Sequence, residues 1–105
     1  MAQTSMNSYI EKSELGVAAP EVIATATPNP MTSVNTLRYK LDSDANVQIT
    51  VNDALGKPIR VLANKRQNAG TYTLDWQSQQ MSKGTYFITI AKNGEVKQTI
   101  RVIKE

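Results

Sequence analysis

Asp42 and Asp44 stand two apart in the stretch LDSDAN, a spacing at which paired carboxylates could do acid–base work or hold calcium. Calcium needs about six or more oxygen ligands, and no D-x-D-x-D-G loop continues from these two. The simpler reading is that both aspartates start a turn and cap its N–H groups. Asp53, ahead of ALGK, reads as a hydrogen-bond acceptor for its own loop. Asp75 reads as solvent-facing while its neighbour Trp76 faces a core. The chain has no histidine and no cysteine. That removes the commonest general base, the thiolate nucleophile and the soft metal ligands, and with them any disulfide framework. Gly56, Gly70, Gly84 and Gly94 each border a strand-like segment, so they read as turn glycines. A phosphate cradle would need a strand-to-helix setting and G-x-x-x-x-G-K spacing. The residues therefore predict no enzyme, no cofactor and no metal site.

Binding remains. The aromatics are Tyr9, Tyr39, Tyr72, Trp76, Tyr86 and Phe87, and sugar-binding modules present such rings as flat platforms. Tyr39, Tyr72, Trp76 and Tyr86 share the parity of their neighbouring aliphatic residues, which predicts burial instead. Phe87 has the opposite parity, so it packs on a second layer or stays exposed. The net charge is +3, with −2 on residues 1–30 (Lys12 against Glu11, Glu14 and Glu21) and +5 on the rest. That excess is scattered singly, apart from Lys65–Arg66 in an expected loop, whereas a nucleic-acid face needs clustered charge and exposed aromatics. No apolar run reaches membrane-span length. Residues 1–20 have neither the basic nor the apolar region of a secretory signal.

Any such surface would have to be positioned by strands. Residues 1–21 read as a linker or tail, in which YIEKSELG could form a helical turn closed by Gly16. From residue 22 to 105 the pattern becomes short runs of period-two alternation broken by turn residues. Strands are predicted at 22–27, 35–41, 47–51, 58–63, 71–76, 85–92 and 95–103. The prolines of Pro28-Asn29-Pro30 halt pairing after the first, and Asn93-Gly94 is a two-residue hairpin signal. Seven strands without a long helix predict an all-β fold, a seven-stranded antiparallel immunoglobulin-like β-sandwich. The last strand, VKQTIRVIKE, places Ile100 and Val102 on one face and Thr99 and Arg101 on the other.

The order of landmarks adds a resemblance. TPNP, LRYKL, VQITVNDALGKPIRVL, NAGTYTLDW, MSKGTYFITI and KQTIRVIKE follow one another. The series resembles the type A C-terminal sorting domain of cargo proteins exported by the type IX secretion system of Bacteroidetes. The likeness covers about residues 24–105. It places the P-N-P opening on Pro28, Asn29 and Pro30, and the D-x-x-G-[KR] hairpin on Asp53, Gly56 and Lys57. The A-G-x-x-x-x-x-W strand falls on Ala69, Gly70 and Trp76, and the next motif on Gly84, Tyr86 and Phe87, with Met81 where the pattern usually has Leu. The closing motif falls on Lys97, Ile100, Val102, Ile103 and Lys104.

The resemblance implies a non-catalytic signal at the end of a larger exported protein. That protein would cross the periplasm and end secreted or on the cell surface. The implied partners are an N-terminally fused cargo, the outer-membrane translocon and its shuttle and sortase proteins; a sortase-like peptidase often removes the domain. Lys97, Ile100, Arg101, Val102, Ile103 and Lys104 are the expected recognition residues, with β-augmentation as one mode. An adhesive or carbohydrate-binding sandwich module is the principal alternative, and a hook-capping-type structural module a further one.

Overall fold

A computed structural model of the chain describes residues 22–105. The helical turn expected within residues 1–21, and Tyr9, lie outside them. Seven strands run in order: β1 Val22–Thr27, β2 Val34–Leu41, β3 Ala45–Asn52, β4 Pro58–Gln67, β5 Gly70–Gln77, β6 Gly84–Lys92 and β7 Glu95–Lys104. They form two antiparallel sheets, a three-stranded one in the order β1-β2-β5 and a four-stranded one in the order β4-β3-β6-β7.

Alternation explains the layers. Leu37, Tyr39 and Leu41 of β2 point one way while Arg38 and Lys40 point out. Val47, Ile49 and Val51 of β3 do the same, joined by Ile88 and Ile90 of β6 and Val102 of β7. Because side chains on a strand alternate with period two, each such strand gives one face to a common core. Tyr39, Trp76 and Tyr86 are buried there and Tyr72 is half-buried, its ring stacked on Tyr39 with centroids 5.3 Å apart.

The middle of the chain departs from expectation. β4 continues to Gln67, so Lys65 and Arg66 stand on a strand and not in a loop. Two bulges hide it from a period-two reading. Ile49 pairs with Ala63 and Thr50 with Val61, leaving Leu62 over; Val51 pairs with Arg60 and Asn52 with Pro58, leaving Ile59 over. Each extra residue reverses the alternation, and the outer edge of β4 makes few demands on side-chain type.

Polar side chains fix the turns. Asp44 Oδ1 accepts from the Ala69 N–H at 2.7 Å, so the capping expected of this turn reaches another loop. Lys92, buried along its stem, donates from Nζ to Ser43 Oγ at 2.6 Å and ties the same turn to β6. The Tyr39 hydroxyl donates to Gln67 Oε1 at 2.7 Å inside the sandwich.

Burial raises the Tyr39 hydroxyl above its ordinary value of 10.0. The folded state therefore holds its proton where the unfolded chain gives it up. This contribution is fully present below pH 10 and is lost as the pH rises through the folded value. Tyr39→Phe is expected to lower stability by about 1–3 kcal/mol, since it leaves the buried Gln67 amide oxygen unpaired. The variant should also lose less stability than the parent above pH ~10, as measured by urea titrations from pH 7 to 11.

Candidate functional site

β7 forms one edge of the four-stranded sheet. The hairpin that delivers it turns at Asn93 (φ 53°) and Gly94 (φ 82°), the pair of positive φ angles a two-residue turn needs. Asn93 also accepts from the Asn46 N–H through Oδ1 at 3.0 Å, fastening the turn to β3. Ile90 pairs with Gln98 but Ala91 with Val96, so Lys97 is an inserted residue. Beyond that bulge, Gln98, Ile100 and Val102 face inward and Thr99, Arg101 and Ile103 face out.

This divides the expected recognition residues. Val102 has no exposed surface and Ile100 packs against the core. Arg101 is exposed opposite Phe87, and Ile103 lies half-buried beside it opposite Thr85. Phe87 is thus a half-buried ring on the outer face. Lys97 pairs with Glu95 at 3.0 Å. Lys104 is half-buried where β7 ends, opposite Gly84.

The segment after β1 covers the edge of β7. Asn29 donates from Nδ2 to the Arg101 carbonyl at 3.2 Å and accepts from the Ile103 N–H at 3.0 Å. The Met31 N–H donates to the Ile103 carbonyl at 2.7 Å, and Met31 bridges Lys104 in parallel. A primary amide carries both a donor and an acceptor, so the Asn29 side chain stands where a neighbouring peptide group would. Pro28 and Pro30, each preceded by a cis peptide bond, flank it.

Three further bonds hold this cover. Buried Asn35 binds the Thr32 N–H and carbonyl, each at 3.1 Å, and donates to Ser78 Oγ at 2.9 Å. Gln98 reciprocates from β7: its side chain donates to the Ala24 carbonyl and accepts from the Ala24 N–H, both at 3.0 Å. The open edges of β1 and β7 are thereby joined by side-chain amides.

Most of the remaining motif residues build one end of the sandwich. Asp53 Oδ1 accepts from the N–H groups of Leu55 and Lys57, both at 2.9 Å. Gly56, at φ 87°, supplies the left-handed residue that returns the chain. The Tyr86 hydroxyl donates to the Ser82 carbonyl at 2.6 Å, which fixes the loop ahead of Gly84. Trp76 is buried; the Arg60 guanidinium lies 5.9 Å from its ring centre and donates to the Gln77 carbonyl. Gly70 opens β5 at the opposite end.

Sequence reasoning missed Gln98 and Met31. Gln98 was detectable as a polar residue at the inward parity of Ile100 and Val102; Met31 carried no comparable signal. Among the described residues, no cluster of three or more acidic groups stands close enough to hold a metal.

The family model of the secretion system C-terminal sorting domain matches residues 26–105, from the end of β1 through the Asn29 cover to the end of β7. The chain belongs to this family. No curated protein matches it. The sorting domain is a C-terminal signal for type IX secretion, which exports proteins across the outer membrane to the surface or the medium. Such a signal is not catalytic. Its association is with the type IX machinery and an N-terminal cargo.

Within this sorting domain, Asn29→Leu removes both bonds to the β7 edge. Water reaches these groups, so the expected cost is modest, about 1–2 kcal/mol. Hydrogen exchange is the decisive measurement: the Ile103 amide should exchange faster while that of Ile49 in the central strand does not.

Proposed function

We propose that the outer-membrane translocon reads this domain through the outer face of β7, and that Arg101 and Ile103, beside Phe87, make the contact. The domain is immunoglobulin-like in architecture, spans residues 22–105 and carries the cargo ahead of a linker at residues 1–21. The cargo crosses the periplasm before meeting the translocon. Shuttle proteins and a sortase-like peptidase act on the domain afterwards.

The observation that carries this reading is the division of β7 by its pleat. Ile100 and Val102 are spent on the core, whereas Arg101 and Ile103 lie outward. A partner adding a strand to β7 would first have to displace Asn29 and Met31 from the Arg101 and Ile103 backbone. Recognition through side chains needs no such opening. Lys97, held by Glu95, and Lys104 take secondary parts at the two ends of the strand.

Deleting residues 101–105 should strand the cargo in the periplasm, but it also removes Val102 from the core. The sharper test is Arg101→Glu combined with Ile103→Ser in a passenger fusion, with folding checked by thermal melting. A folded variant whose passenger accumulates in the periplasm is the expected result. Normal surface display of that variant would sink the assignment.

A further inference from the structure

We propose that the end of the sandwich built by the Asp53 loop is a second docking surface, whose occupant is an acidic protein surface with an apolar socket for Leu55. The proposal rests on the export reading above and places a further contact with the same machinery.

Leu55 is 94% exposed, more than any other large apolar residue among the described ones. Its loop does not require it. The loop closes through the Asp53 carboxylate, the Gly56 backbone and the Asp53–Lys57 hydrogen bond of 2.9 Å, and Leu55 contributes only its N–H. A polar side chain would serve the turn equally well and avoid exposing apolar surface to water.

The surroundings alternate in height. On one side of the Asp53 loop a cleft of about 230 Å³ is bordered by Leu55, Lys83, Gly84, Thr85 and Tyr86. On the other, a cleft of about 420 Å³ is bordered by Ile59, Arg60, Met81, Ser82 and Tyr86. Asp53 borders both. A protruding apolar side chain at the rim of a hollow suits a shaped protein surface, whereas a lipid headgroup layer would leave the hollow unfilled.

Charge selects the partner's sign. Lys57 and Lys83 are exposed and make no ion pair among the described residues. Lys104 ends the neighbouring strand β7 at the same end. Against them stand Glu105 and Asp53, the latter already accepting two N–H groups of its own loop. An acidic partner gains from this field in encounter rate as well as in contact.

The test uses Leu55→Ser with Lys83→Glu, both exposed and neither a core residue nor part of β7. Thermal melting should be unchanged within a few degrees. Binding of the 105-residue chain to purified type IX translocon should weaken by about tenfold or more, the loss expected when an anchoring side chain is truncated. Parent affinity should fall as salt rises, and vesicles of phosphatidylglycerol and phosphatidylcholine should not bind. Parent-like affinity of the variant, or vesicle binding that accounts for all retention, overturns the proposal. The two readings fail separately. If the Arg101→Glu, Ile103→Ser variant loses export and the loop variant does not, only the Leu55 surface is rejected. The reverse result rejects only the β7 contact.

Discussion

Two side-chain amides close the flank of this sandwich where its first and last strands meet. The first and last strands of the fold occupy edges of different sheets and cannot pair with each other as neighbours in one sheet. Open edges are liabilities, because unpaired N–H and C=O groups invite other chains. Asn29 meets β7 and Gln98 meets β1, each supplying a donor and an acceptor where a peptide would. Met31 completes the seal with its backbone while its side chain joins the core. The seam covers the backbone of β7 from Arg101 to Ile103, the stretch whose side chains divide between core and outer face.

The opposite side is managed differently. β4 and β5 are the other two edges, and β4 blunts its own with two bulges and with exposed Lys65 and Arg66. Arg60 crosses from β4 to lie over Trp76 and bind the Gln77 carbonyl, and the Tyr39 hydroxyl reaches Gln67 of β4, so side chains link the sheets here too. One flank is joined through backbone and side-chain amides together, the other through side chains alone.

Much of this was legible in the sequence, and the failures have a common cause. Strands whose two faces differ, such as β2 and β3, reveal themselves, because burial on one side alone imposes alternation. The Asn93-Gly94 turn and the Asp53 loop were readable because their backbone angles admit few residue types. β4 runs past residue 63 to Gln67 unseen by alternation, because its two bulges reverse the parity of the side chains. The two faces of β7, Ile100 and Val102 against Thr99 and Arg101, were readable from alternation, whereas the bulge at Lys97 was not. The seam was the least legible feature. Asn29 could be seen as part of a motif, yet its partners at Arg101 and Ile103 are far away along the chain, and nothing local specifies them.

That distance has a consequence for timing. Asn29 and Ile103 are separated by 74 residues, as are Ala24 and Gln98. Contacts of such long range are the slow ones to form, because closure must be complete before it is rewarded. A growing chain released before Ile103 would have its first sheet edge bare, its Asn29 without a target and its core short of Val102. The seam therefore acts as a tally of length. A chain lacking its last strand leaves the seam unmade and the core short of Val102, so length and fold are checked at one place.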